Sequence, residues 1–305
     1  MLTQFKTLTD LMIAFQDPQA AVDHFKAIRW PNGPVCPYCD SPKAYTLSRK
    51  NMHRCAQCRR NFSITVGTIF EDTKLPLRVW FGAIWLITNH PKGIASTTLA
   101  RDLGITQKSA WFVLHRLRHA ARTRSFNKPL SGIVEVDETY VGGKAINKHG
   151  RRSGTKAGSS DKTPVMGAIE RGGDTVAMVL PKANKEHMHA FIRATVDPNA
   201  EMLVTDSHPA YQRPMGYARH EIVNHQKGEY KRGEAHTNSI ESVWALLKRQ
   251  IIGTHHWISP KHLEKYVQEM TWRLNRRSMS AADRMNALFE CVAGPLPYKV
   301  LIADE

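Results

Sequence analysis

No apolar run in this 305-residue chain reaches the ~18 residues that a bilayer-spanning helix requires. The longest, VWFGAIWLIT at 79–88, reads instead as a buried helix. The opening segment, MLTQFKTLTDLMIAF, lacks a basic start and a small-residue cleavage site and carries Asp10 within a helical pattern, so no secretory signal is expected. These absences point to a cytoplasmic protein with no membrane partner. Acidic residues are also short: 27 Asp and Glu face 43 Lys and Arg, a net charge of +16 with a pI near 9.8. Solubility alone needs only a few charges of either sign. An excess this large favours a polyanionic partner, and nucleic acid fits better than an anionic membrane, because no basic amphipathic helix with a lipid-facing side stands out. No internal repeat is present.

Cysteine is scarce, with five in all, yet four fall between positions 36 and 58. In a reducing compartment such crowding indicates metal rather than disulfides. Cys36-Pro-Tyr-Cys39, fifteen intervening residues and Cys55-Ala-Gln-Cys58 match a four-thiolate ribbon holding one structural Zn²⁺. Tyr45, Thr46 and Leu47 are expected in its strands, His53 reads as a surface residue, and Arg54, Arg59 and Arg60 incline the module toward nucleic acid. Cys291, beside Leu288, Phe289 and Val292, is expected to be a buried apolar residue.

The chain divides into a helical lead-in (1–30), the zinc ribbon (31–70), a helical DNA-binding segment (71–125) and a C-terminal α/β domain (130–295). In the helical segment a short helix around Thr97 to Leu103, a turn at Gly104 and a longer helix from Gln107 to Ala120 capped by Thr106 have the proportions of a helix-turn-helix. An ordinary α-hairpin would have the same periodicity. On the DNA-binding reading, Gln107, Lys108, His115, Arg116 and Arg118 face phosphates or base edges. From Gly132 the pattern turns to short β-runs: GIVEVDETYVG, TPVMGAIER, DTVAMVLP, EMLVTD and HEIVNH, with a crossover helix from Glu186 to Val196. The Gly- and Ser-rich stretch after the first run is strongly basic and reads as a surface loop bearing Lys144, Arg151 and Arg152.

Three acidic positions carry the chemistry. Strand alternation puts Val134 and Val136 on one face and Glu135, Asp137 and Thr139 on the other, with Glu138 on the valines' side. Asp206 ends the run EMLVTD, where a following loop can open a site. In HTNSIESVWALLKR, Asn238, Glu241 and Lys248 share one side of a helix, while Ile240, Val243, Trp244, Leu247 and Ile251 form the neighbouring apolar stripe. Asp137, Asp206 and Glu241 together are the hard oxygen ligands that Mg²⁺ (or Mn²⁺) prefers. Two ions about 4 Å apart can activate the attacking oxygen and neutralise the leaving one at phosphorus. Lys248 would hold a DNA phosphate, with Arg249 beside it.

At this point the chain resembles the insertion-sequence transposases of the DDE superfamily, specifically the zinc-ribbon-bearing insertion-sequence family 1595. The resemblance rests on CPYC…CAQC, VEVDETYVGGK, VTDSHPAY and HTNSIESVWALLKR in that order, and covers nearly the whole chain. It implies an RNase H-like catalytic fold, cleavage of double-stranded DNA at transposon ends, attack of the exposed 3′-hydroxyl on target DNA, and a homo-oligomer on DNA. Asp137 and Asp206 carry over as the first two catalytic positions. The family's pattern can place an asparagine at the third, so Asn238 stands beside Glu241; the seven-residue spacing to Lys248 favours Glu241. Two other readings use the same features: a zinc-ribbon DNA-binding regulator derived from a transposase, and an RNase H-like nuclease that cuts without joining.

Overall fold

The computed structural model describes residues 5–122, 128–142, 162–211 and 216–302. The expected Lys144, Arg151 and Arg152 lie outside them. The chain forms two compact units, Met1–Thr123 with Ser278–Glu305, and Arg124–Arg277. No helix among the described residues is long and apolar enough to cross a membrane.

In the first unit, α1 (Leu8–Ala14) and α2 (Pro18–Arg29) precede a three-stranded antiparallel sheet of β1 (Ala44–Thr46), β2 (Met52–Cys55) and β3 (Asn61–Ser63). Next come α3 (Leu77–Asn89), α4 (Ser96–Leu103) and α5 (Gln107–Arg122). α3 is buried over Trp80–Thr88, which is why its sequence is apolar all round rather than striped. Gly104 closes α4 in the left-handed region at φ 64°, where a Cβ would be strained. The Thr106 hydroxyl accepts from the Ser109 N–H at 3.2 Å and caps α5 as expected.

The expected catalytic segment runs to residue 295, but α9 (Ala281–Phe289) and α10 (Tyr298–Ile302) belong to the first unit. Phe289 meets Phe81 of α3 at 4.6 Å between ring centroids, and the Ile69 N–H donates to the Val292 carbonyl at 3.0 Å. An amphipathic helix shows that it needs a partner and not which one, so the pattern alone could not return these helices to the N-terminal unit.

The second unit holds one five-stranded sheet built from all five expected runs: β4 (Ile133–Val141), β5 (Thr163–Glu170), β6 (Thr175–Val179), β7 (Met202–Asp206) and β8 (His220–Val223). Their order is β6-β5-β4-β7-β8. β5 runs antiparallel to β4 and β6, whereas β4, β7 and β8 are mutually parallel. α6 (Lys185–Thr195) makes the crossover to β7. Alternation sorts the two faces. Val134, Val136, Met166 and Ala168 pack with Met188, Phe191 and Ile192 of α6. Val141, Val165 and Ile169 pack with α7 (Asn238–Gln250) and α8 (Pro260–Asn275) through Ile240, Val243, Trp244, Leu247, Val267 and Met270. The sheet is thus covered on both faces.

Candidate active site and metal centres

The four cysteines converge as their spacing predicts. Sγ of Cys36 is 3.6 Å from Sγ of Cys58, and Sγ of Cys39 is 3.6 Å from that of Cys55. Zn–S bonds of about 2.3 Å in a tetrahedron require S···S edges of roughly 3.8 Å, so the quartet fits zinc. The N–H groups of Gln57 and Cys58 donate to the Cys55 sulfur at 3.3 and 3.4 Å. Burial raises the Cys55 thiol, but these N–H donors and the thiols of Cys39 and Cys58 bring it down; Cys39 moves the opposite way, since the Ser41 N–H that lowers it is outweighed by burial and the neighbouring thiols. His53 is not the expected surface residue. It is 4% exposed, packed between Trp30 and Phe62 with ring centroids at 5.4 and 5.6 Å, and burial first, then the Lys26 charge, lower its pKa. Arg60 stacks over the Tyr38 ring at 3.8 Å.

The helical hairpin corrects three of its assigned DNA contacts. Gln107 and Lys108 are exposed on the first turn of α5. Arg116 instead donates to the carbonyls of Ile69 and Glu71, and Arg118 is 1% exposed. His115 is fully buried. Position 118 follows Leu114 by four residues and precedes Ala121 by three, which places it on the buried side of α5. Counting basic residues along α5 overstates its free charge, because His115 and Arg118 are buried and Arg116 is engaged by backbone carbonyls.

In the second unit, parallel pairing of β4 with β7 sets Glu135 opposite Val204. Continued two residues, that register brings Asp137 beside Asp206, the last residue of β7. Glu138 stands one residue past this level, where β7 has ended. Its carboxylate therefore joins the two aspartates although alternation puts it on the opposite face. Oxygens of Asp137, Glu138 and Asp206 all lie within 4.8 Å of one another. Burial first, and then the charges of Glu138 and Asp206, push Asp137 up to about 7. Burial, with the Asp206 charge, also raises Glu138, whose Oε2 accepts from the Tyr211 hydroxyl at 2.7 Å. Asp206 accepts the His208 N–H at 2.9 Å. Three carboxylates held this close repel one another, and a divalent cation with oxygen ligands is the partner that would relieve them. The donor set fits such an ion.

α7 lies against β4 by two polar contacts as well as its apolar stripe. Its N-cap, Thr237, makes no capping bond of its own. The cap comes from the sheet: Glu135, 0% exposed, accepts from the N–H groups of Ser239 and Ile240 at 2.8 and 3.2 Å and from the Ser239 hydroxyl at 3.0 Å. Arg171 donates to the same carboxylate at 2.6 Å, and His236 Nδ1 stands 3.2 Å away. An anion under the first turn satisfies orphan donors and complements the helix dipole. One turn on, Trp244 Nε1 donates to Asp137 Oδ2 at 3.0 Å. Glu135 shares the face of Asp137 in the strand pattern, but only the arrival of α7 reveals what it holds.

The remaining expected site residues are on α7. Glu241 is half exposed and lies outside the acidic cluster; its Oε1 accepts from the Thr237 hydroxyl at 2.9 Å, with His225 Nε2 at 3.4 Å. Asn238, Lys248 and Arg249 are exposed.

The family model of the ISXO2-like transposase domain matches residues 129–275, and that of the transposase zinc-ribbon domain matches residues 16–61. Both belong to the IS1595 type, and together they span more than half of the chain. A protein of Halobacterium salinarum described as an uncharacterized protein in transposable element ISH50 is 28% identical over 279 residues, covering 85% of this chain and 91% of that one. Among solved structures, a pre-cleavage Mos1 transpososome has a TM-score of 0.25 at 12% identity, covering 66% of this chain and 74% of the other. The Mos1 strand transfer complex has a TM-score of 0.20, also at 12% identity, covering 67% of this chain and 77% of the other. Superpositions this loose assign no residue a role.

Proposed function

Because the chain belongs to the insertion-sequence transposases of the IS1595 type, with a zinc ribbon ahead of a DDE transposase domain, we propose that it cuts double-stranded DNA at the ends of its own element and joins the freed 3′-hydroxyl to target DNA. The observation that carries this reading is the convergence of Asp137, Glu138 and Asp206 within 4.8 Å, where β7 ends beside the middle of β4. The sheet order, with its first three strands antiparallel and two parallel strands added at the other side of β4, supports an RNase H-like fold.

Asp137 and Asp206 are the first two metal-binding positions, and Mg²⁺ or Mn²⁺ suits their hard oxygen donors. When bound there, a pair of divalent ions supplies activation of the attacking oxygen and neutralisation of the leaving one in an in-line displacement at phosphorus. Glu138 adds a third carboxylate on the same strand, and Glu241 adds one from α7 when its side chain leaves Thr237. Lys248 and Arg249, exposed further along the helix, hold DNA phosphates near the cluster. In the first unit, Gln107 and Lys108 on the first turn of α5 contact DNA, and the chain acts as a homo-oligomer on DNA.

A strand-transfer assay with labelled element ends tests this. Wild-type protein with Mg²⁺ should yield both nicked ends and end–target joints, and Asp137→Ala and Asp206→Ala should yield neither while retaining end binding. Nicked ends without joints would leave only the nuclease reading. Binding without either product in the wild type would leave the regulator.

A further inference from the structure

Trp244 is read from sequence as one member of an apolar stripe, but its indole has a polar task. It is 4% exposed, and its Nε1 donates to Asp137 Oδ2 at 3.0 Å. The ring can lie that close to the sheet because the residue paired with Asp137 across β4 and β5 is Gly167. A Cβ at Gly167 would stand 2.6 Å from Cη2 and 2.8 Å from Cζ2 of the indole, closer than real contacts allow. The bare backbone at this one register position is therefore a seat for the ring. Glu135, two residues before Asp137 on the same face, binds the first turn of α7 and fixes where along the strand the indole arrives.

We propose that Trp244 is a positioning residue for the catalytic centre: its N–H engages one oxygen of Asp137 and directs the other toward Glu138 and Asp206, and this works only with glycine at 167. The inference rests on the metal-binding reading of the acidic cluster. Hydrogen-bond donors to a ligating carboxylate fix its orientation, and removing such a partner commonly costs 10–100-fold in metal affinity or activity.

Three measurements on the full chain test it. In metal-free protein labelled with ¹⁵N-tryptophan, the Trp244 indole N–H should be protected from hydrogen exchange in the wild type and exchange freely in Asp137→Ala. Trp244→Phe keeps an aromatic ring but removes the donor. Mn²⁺ binding followed by electron paramagnetic resonance should weaken about tenfold in this variant, with kcat for end cleavage falling and KM for end DNA unchanged. Gly167→Ala should weaken Mn²⁺ binding similarly with the indole still present, and adding it to Trp244→Phe should change little further. Asp137-dependent Mn²⁺ binding in the wild type that persists undiminished in Trp244→Phe overturns the positioning role alone. Wild-type protein that binds no Mn²⁺ overturns the metal reading and this inference with it.

Discussion

The two candidate metal centres are built in opposite ways. All four thiols of the ribbon come from 23 consecutive residues, and local N–H groups hold the Cys55 sulfur. The three carboxylates come from positions 137, 138 and 206, and they meet because a five-stranded sheet sets β7 beside β4. Three strands this short bury little apolar surface, so the ribbon needs its ion to close. The sheet has a core on each face and stands without one. Metal should therefore be part of the fold at the first centre and part of the chemistry alone at the second.

Removing each metal gives the largest effects that separate them. Chelation of zinc, or Cys36→Ser, should unfold the β1–β3 ribbon, since structural zinc contributes on the order of 10 kcal/mol in ribbon-like modules. Loss of the amide dispersion of residues 36–63 in a two-dimensional NMR spectrum, with that of the second unit unchanged, would show it; a chelated ribbon that keeps its dispersion breaks the contrast. Asp137→Ala and Asp206→Ala should lower cleavage by about a thousandfold or more, the scale on which removal of a catalytic electrostatic group acts, without lowering the melting temperature. Parallel assays of Glu138→Ala, Glu241→Ala and Asn238→Ala identify the third ligand: near-normal cleavage in Glu241→Ala with loss in one of the others reassigns it.

Next in size is the cap of α7. Glu135→Ala leaves Arg171 and the helix N-terminus without their buried anion and should destabilise the second unit by about 3–5 kcal/mol in urea unfolding. A loss below about 1 kcal/mol would mean that α7 is held by its apolar stripe alone.

The units should also respond oppositely to acid. His24, buried beside Phe15 and Phe81, has its pKa lowered by burial, although the Asn286 side chain opposes the shift. Its contribution is present above the unfolded value near 6.5 and is lost as pH falls. Asp137 is raised to about 7. Without metal its contribution is full below the unfolded value near 3.8 and is lost as pH rises toward 7. Thermal unfolding of protein that keeps its zinc but carries no Mg²⁺ or Mn²⁺, followed between pH 4 and 7, checks both signs. Asp137→Asn should steepen the loss on acidification, and His24→Gln should reduce it.

The smallest effect concerns the charged surface. The logarithm of affinity for duplex DNA should fall linearly with the logarithm of salt concentration, and Lys248→Ala should reduce the slope by about 0.9. A wild-type slope near zero would remove nucleic acid as the explanation for the +16 charge.

The sequence by itself determined whatever depends on near neighbours or on period. The ribbon's ligands were legible because two knuckles and a fixed gap suffice to bring four sulfurs together. The five strands, the crossover helix and the α7 stripe were legible because alternation and the 3.6-residue turn report which face is buried. Asp137 fell on the correct face by the same rule. Tertiary structure alone decided what those faces meet. Glu135 and Asp137 look alike on the strand, yet one caps a helix a hundred residues later and the other is pressed against two carboxylates. Glu138 reaches that group because β7 stops one residue earlier. Arg116 spends its charge on backbone carbonyls while Lys108, on the same helix, stays open. Periodicity states that a side chain is buried, but its free energy and its task depend on the partner that folding supplies. For charged and polar groups, whose burial is costly until paired, that partner is the whole difference.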